Sequence, residues 1–189
     1  MKTPSLISSC VICLGLAFLA PGLTACSTVP KAEEQDAFRA DAEAAVLWFE
    51  DNVVGLRAQI NQSAGYAVFP SVGQFGLFIA GGKYGRGTLN TPDGAQLGWA
   101  AISTGSLGLQ AGVQGFKMLV VFEDERTLDA FQRDDLEGSA SAVAVAGDAG
   151  GSVAAPFQHG VAVYQGANSG LMAGVNVGLN YMRYKPLAR

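Results

Sequence analysis

The residues best suited to chemistry are two basic side chains in a glycine-rich segment. Residues 81–87 have the sequence GGKYGRG, which places Lys83 and Arg86 among glycines. Glycine lets backbone N–H groups approach an anion, and the two side chains supply positive charge. The segment is not a P-loop or a dinucleotide fingerprint, because no strand-to-helix pattern surrounds it. We expect Lys83 and Arg86, with Gly82 and Gly85, to contact a lipid headgroup; the alternative is a tight hairpin with two solvated cations.

A second basic cluster lies near the end of the sequence. Arg183, Lys185 and Arg189 stand beside two tyrosines, Tyr181 and Tyr184. A basic side chain close to an anionic membrane contributes about 1 kcal/mol to binding. Arg183 and Lys185 are therefore weaker candidates for lipid contact, and the alternative is an ordinary solvated terminus.

The sequence predicts no catalytic, metal or cofactor site, and we expect a protein that is not an enzyme. The single histidine, His159, has no carboxylate or nucleophile among its neighbours. The serines lack the G-x-S-x-G pattern of a nucleophile elbow. The acidic runs 123–125 and 134–137 lack the spacing of a calcium loop. A net charge of −4 also argues against a general nucleic-acid binder, which needs a basic surface.

The first residues predict export and a lipid anchor. Lys2 is followed by an uncharged, largely apolar run over residues 6–20, then by LTAC at residues 23–26. An apolar run that ends in small residues is typical of a signal peptide, and LTAC resembles a bacterial lipobox. We expect residues 1–25 to be a lipoprotein signal peptide and Cys26 to become a diacylglycerol cysteine that also carries palmitate. The alternative is an ordinary signal peptide with a chance cysteine.

Lipidation of Cys26 has consequences for location and for the tether. More than one acyl chain holds a protein stably on a membrane. Ser27 follows the cysteine where an aspartate would favour inner-membrane retention, so we expect an outer-membrane protein that faces the periplasm. Cys10 and Cys13 lie in the removed segment, which leaves the mature chain without a free thiol. We expect residues 26–37 to be the lipidated cysteine and tether, and residues 38–189 to be one domain.

The remaining pattern predicts an α+β fold. Apolar residues recur at helical spacing from Ala32 to about Leu56, and a short second helix is expected near residues 127–132 with Asp124 or Thr127 as its cap. Elsewhere the apolar segments are short and strand-like, and Pro70 is expected to stop one of them. Glycines recur inside these segments, which is typical of sharply bent sheets. We therefore predict an N-terminal helix packed on a strongly curved, Gly-rich antiparallel sheet or small barrel.

Four motifs resemble the SYLF domain family. They are AGYAVFP at 64–70, GGKYGRG at 81–87, GSLGLQAG at 105–112 and SGLMAGV at 169–175. The resemblance extends over about residues 38–182 and implies a lipid-binding domain; eukaryotic members bind phosphoinositides, and some bind actin. Those members have a basic N-terminal segment, whereas residues 31–60 here hold three basic and seven acidic residues. Phosphoinositide and actin binding are therefore not transferred to this chain.

Together these observations predict a non-catalytic envelope lipoprotein. Its periplasmic domain would bind lipid or membrane surfaces, with the membrane as partner through the Cys26 anchor and phospholipid headgroups as a further partner. The alternative is a structural or interaction protein of the cell envelope that binds protein partners and contacts the membrane only through Cys26.

Overall fold

The computed structural model describes residues 28–77, 80–107, 112–134, 143–144, 152–167, 170–171 and 182–188. A short 3-10 turn, Ala32–Glu34, precedes helix α1 (Gln35–Asn52); helices α2 (Leu56–Gln62) and α3 (Glu125–Gln132) follow. The strands are β1 (Val53–Val54), β2 (Gly65–Leu77), β3 (Ala80–Asn90), β4 (Gln96–Leu107), β5 (Gly112–Phe122), β6 (Val143–Ala144), β7 (Ser152–Val153), β8 (Val161–Ala167), β9 (Gly170–Leu171) and β10 (Met182–Pro186). The predicted α+β fold is confirmed.

The main sheet has the strand order β10-β4-β3-β2-β5-β8-β6, with β9 paired to β8. Its pairs are antiparallel except for the parallel pair β6–β8. Strands β1 and β7 form a separate two-stranded parallel sheet. The described part of the chain contains no helix that is both long and apolar enough to cross a membrane.

The main sheet is strongly curved, as the glycine pattern predicts. The ring of Phe131 in α3 lies 4.9 Å from the ring of Phe122 in β5 and 6.3 Å from that of Tyr184 in β10. Three strands separate β5 from β10, so a flat sheet would hold them about 19 Å apart. A single side chain contacts both because the sheet curls around α3.

Two hydrophobic cores lie on the two faces of this sheet. The concave face packs around α3 and buries Phe69, Phe122 and Phe131. The convex face packs against α1 and α2 and buries Phe49 and Ile60. Alternate residues of one strand therefore enter different cores. Because both faces are covered, the central strands β2, β5 and β8 are apolar on both faces.

Helix α1 crosses the strands. Near its start the ring of Phe38 lies 5.9 Å from that of Trp99 in β4. Near its end Trp48 contacts β5, where the Lys117 Nζ lies 5.2 Å from the Trp48 ring, and β8, where a Cβ on Gly166 would lie 2.2 Å from that ring. Only glycine at position 166 leaves room for the indole.

The helix ends earlier than the sequence suggests. A single helix from Ala32 to Leu56 was expected, but α1 ends at Asn52 and α2 starts at Leu56. Gly55 has φ +86°, a left-handed conformation that glycine adopts at little cost. The turn at Gly55 lets α2 fold back, so that Leu56 and Ile60 enter the convex core.

Pro70 does not stop a strand, contrary to expectation. Strand β2 continues from Gly65 to Leu77, and its register with β3 shifts between Val68 and Ser71. The register with β5 also shifts at this place, between Phe69 and Val72. A β-bulge tolerates a residue that lacks an N–H donor, and the strand resumes beyond it.

Helix α3 begins at Glu125, two residues before the predicted start, and its cap is Asp124, one of the two expected residues. The Asp124 carboxylate accepts hydrogen bonds from the Thr127 backbone N–H at 2.8 Å and from the Thr127 hydroxyl at 2.7 Å. These bonds favour the ionised form and lower the pKa of Asp124. The cap therefore stabilises the helix above the ordinary aspartate pKa and loses that effect as pH falls through the lowered pKa.

Replacing this cap should cost stability in a pH-dependent way. We expect Asp124→Ala to lower the thermal midpoint at pH 7, and the difference from the unmodified chain to shrink below about pH 4, where unfolded aspartates protonate. Circular dichroism melts from pH 7 to pH 2.5 measure this. Asp129→Ala is the matched control, since Asp129 is exposed and its contact with Arg133 is 3.9 Å long. A difference that stayed constant with pH would show that the carboxylate charge is not involved.

Candidate functional site

Every charged residue in the strands that the structure describes is basic. These five residues are Lys83, Arg86, Lys117, Arg183 and Lys185. They lie in a chain whose net charge is −4, with all of its carboxylates outside those strands. The sheet therefore separates positive charge from the acidic helices and turns.

Three of these cations lie in one row across the sheet. Arg183 in β10 pairs with Ala101 in β4, and Ala101 pairs on its other side with Arg86 in β3. Arg86 pairs in turn with Ser71 in the bulge of β2. Lys117 of β5 lies opposite this bulge, because its neighbours Phe116 and Met118 pair with Val72 and Phe69 on either side of it. Paired residues share a face of the sheet, and all three cations lie on the convex face. We call Arg86, Lys117 and Arg183 the cation row.

Lys117 was not among the candidates from sequence. It follows a phenylalanine in an apolar strand, and no local motif marks it. Lys117 is identified by the observation that every charged residue of the described strands is basic, and this observation requires the strand bounds.

The Arg86 side chain lies at the start of α1. Its Cζ is 5.8 Å from the Phe38 ring, and an Nη is 3.9 Å from a carboxylate oxygen of Glu34. The side chain remains 33% exposed. A long ion pair at this exposure contributes little, so the guanidinium remains available to a ligand.

Lys83 and Arg86 are not brought together. Strand residues alternate between faces, and three positions separate the two residues, so they lie on opposite faces of β3. On the concave face the Lys83 Nζ lies 5.7 Å from the Phe116 ring. Burial at this position lowers the pKa of Lys83. The two side chains therefore do not form the single headgroup site expected from sequence, and contact with lipid remains a prediction for each.

The glycines of this segment are strand residues. Residues 81–87 lie inside β3, which pairs antiparallel with the preceding strand β2 on one side and with β4 on the other. The hairpin alternative is consistent with this pairing. The backbone N–H groups of Gly82 and Gly85 would be needed to bind an anion, but in a strand that is paired on both sides they form the hydrogen bonds of the sheet. A Cβ on Gly85 would lie 2.9 Å from Val72 Cγ2, which indicates close packing of β3 on β2. Side chains, rather than backbone amides, are the groups available to a ligand here.

The basic tail also lies in a strand, β10 (Met182–Pro186). Arg183 and Lys185 are both exposed in β10, at an edge of the sheet. Between them Tyr184 turns inward; its hydroxyl donates to the Leu97 carbonyl at 3.0 Å, and its backbone N–H donates to Asp134 Oδ1 at 2.9 Å. Charged residues on an edge strand also oppose pairing with another sheet.

A separate cleft of about 580 Å³ lies between α1 and the turn that joins β3 to β4. Arg39 and Arg57 line it together with Glu43 and Asp93, so its charges balance. Leu47 at its rim is 57% exposed. The cleft has the size of a ligand site, but its balanced charge gives it no preference for an anion.

No catalytic constellation is present among the described residues. His159 is exposed in a turn, with φ 53°, beside Gly160. No group of three or more histidine, cysteine or acidic residues in this part of the chain has the geometry to hold a metal.

Two comparisons with known proteins found similar sequences. Residues 103–185 match the sequence model of a family described as "Ysc84: Las17-binding protein actin regulator". The chain is also 25% identical over 147 residues to "Beta cell expansion factor A" from Aeromonas veronii, a stretch that covers 77% of this chain and 55% of the relative. The chain thus spans about half the length of the curated relative it matches. The family match includes Lys117, Arg183 and Lys185, and it begins after Lys83 and Arg86.

Proposed function

Because residues 103–185 match the SYLF (Ysc84) family that the motifs predicted, we propose that this chain is a non-catalytic lipid-binding protein of the bacterial envelope. Cys26 would anchor it in the outer membrane, and its domain would face the periplasm and bind anionic headgroups. Cys26 and the signal peptide lie outside the described residues, and support for them comes from the lipobox pattern at residues 23–26.

The cation row is the observation that supports lipid binding. Arg86, Lys117 and Arg183 share one face, although the acidic chain as a whole would be repelled by anionic lipid. Arginine presents a planar donor group that matches phosphate oxygens, and lysine adds a point charge. Three cations on one face provide a local attraction that overcomes the net charge at short range.

The start of the fold favours a position close to the membrane. Pro30 is buried, and its carbonyl accepts a hydrogen bond from the Gln35 side-chain amide at 3.3 Å. Four peptide steps separate Cys26 from Pro30, and an extended chain of that length spans at most about 14 Å. Acyl chains on Cys26 would hold the domain within roughly one to two Debye lengths of the headgroups, where its cations act.

Vesicle binding by a chain that begins at Ser27 tests the proposal. Such a chain retains both hydrophobic cores, since these consist of residues beyond position 41. It lacks Cys26, so acyl chains cannot contribute to its binding. We expect binding to anionic vesicles that weakens from low to moderate salt, and little binding to neutral vesicles. Absence of binding to both would overturn lipid recognition by the domain.

A second candidate function is binding of envelope proteins. The balanced charges of the cleft, with exposed Leu47 and Leu187 on its lining, favour this alternative. Stoichiometric co-purification of a partner with lipid-free protein, lost on Leu47→Asp, would support it over lipid binding.

A further inference from the structure

We propose that the domain contacts the membrane through one end of its sheet. This end is formed by the strand residues beyond the cation row. These neutral strand ends are 73–77 of β2, 80–84 of β3, 103–107 of β4 and 112–115 of β5. The inference rests on the proposed lipid-binding function and adds an orientation and a second contact surface to it. The partner is a lipid bilayer.

The charge of the strands supports this orientation. Lys83 is the single charged residue of the neutral strand ends, whose other residues are glycine, apolar or uncharged polar. A surface that enters the boundary between headgroups and acyl chains must avoid charge, because each buried charge is costly there. Lys83 has a long apolar stem, which allows its amine to reach a headgroup while the stem stays among apolar groups.

The opposite end of the sheet is acidic. Asp93 lies in the turn after β3, and Glu123, Asp124 and Glu125 follow β5 directly. All four are exposed. Strand β3 is about 33 Å long, so these carboxylates lie far from the neutral strand ends. An anionic membrane repels the acidic end and attracts the cation row, and the combination selects one orientation.

The start of the chain lies beside the same region. Glu34, at the entry to α1, contacts Arg86 of the cation row, and Gln35 holds the carbonyl of Pro30. The first described residue, Thr28, is two positions from Cys26. The described fold thus starts beside the cation row, and a lipid on Cys26 would favour an orientation with the neutral strand ends, rather than the acidic end, toward the bilayer.

Site-specific fluorescence tests the orientation without relying on lipidation. The chain that begins at Ser27 contains no cysteine, so one introduced cysteine carries the dye NBD at a single known position. An N-terminal hexahistidine tag replaces the anchor and holds the protein on anionic vesicles that contain a nickel-chelating lipid. The labelled variants are Leu77→Cys and Leu107→Cys in the neutral strand ends. Ala95→Cys, in the exposed turn at the acidic end, is the matched control.

We expect a blue shift and a rise of at least threefold in NBD emission at positions 77 and 107, together with quenching by spin-labelled acyl chains. We expect neither change at position 95. Unchanged emission at both strand-end positions, or embedding of the dye at position 95, would overturn the orientation. Circular dichroism confirms that each labelled variant is folded, and a change at either strand-end position alone still supports the proposal.

The two proposals fail in different ways. If the untagged chain does not bind vesicles, the proposed lipid recognition is wrong, whereas the tagged chain still reports its orientation. If the untagged chain binds but the dyes at 77 and 107 stay in water, lipid recognition stands and the proposed contact surface is wrong.

Discussion

Replacing the three side chains of the cation row by glutamine should weaken binding to anionic vesicles about 100-fold. Each cation near an anionic surface contributes about 1 kcal/mol, so the loss of Arg86, Lys117 and Arg183 removes about 3 kcal/mol. A factor of ten corresponds to about 1.4 kcal/mol, and the Glu34 contact reduces the share of Arg86 slightly. Co-sedimentation of the chain that begins at Ser27 with anionic vesicles at low salt measures the change.

The control for this variant removes the same charge elsewhere. Arg57, Arg126 and Arg133 are exposed and lie outside the strands. Their triple replacement by glutamine should weaken binding less than threefold, because Arg126 and Arg133 belong to α3 and its C-terminal cap, on the concave side of the sheet, and Arg57 belongs to α2. Equal losses in the two triple variants would mean that only net charge matters, and the cation row would then have no special role. The cation-row variant should unfold within about 0.5 kcal/mol of the unmodified chain, as surface substitutions usually do. The control variant should lose more stability, because Arg57→Gln removes the 2.7 Å ion pair with the largely buried Glu50.

Truncation of Phe49 should produce the largest loss of stability among the substitutions considered. Phe49 is fully buried in the convex core, and its ring lies 5.1 Å from that of Trp48 in an edge-to-face arrangement. Replacement of a buried phenylalanine by alanine costs about 3–5 kcal/mol, since it removes apolar contacts and leaves a cavity. A domain of this size has a total stability of about 5–15 kcal/mol. Phe49→Ala should therefore lower the urea midpoint strongly.

Leu47→Ala is the matched control for Phe49→Ala. It lies in the same helix, two residues away, and its side chain is 57% exposed. The expected change is about 0.5 kcal/mol or less, because little apolar contact is lost. Similar midpoints for the two variants would show that α1 does not pack on the sheet as described.

Local sequence signals were sufficient for much of the fold. The helical spacing of apolar residues predicted α1, and the Asp124 cap predicted the start of α3. The glycines inside apolar segments predicted the curvature that lets Phe131 reach two distant strands. These features depend on residues close together in the chain, so a single stretch of sequence contains the information. Helix α2 was missed, because the helical pattern was expected to end at about Leu56, where α2 begins.

The site depended on contacts between distant segments. The sequence by itself determined that Lys83, Arg86, Arg183 and Lys185 are basic residues near glycines or tyrosines, and it predicted the lipid anchor at Cys26. Only the tertiary structure decided that Arg86 and Arg183 share a row through Ala101, whereas Lys83 enters the opposite face. Strand register sets which distant residues meet, and the two-residue alternation of a strand sets the face of each side chain. A loop would impose neither constraint. Residues 81–87 lie in a strand, so the pairing of β3 with β2 and β4 sets the placement of Lys83 and Arg86.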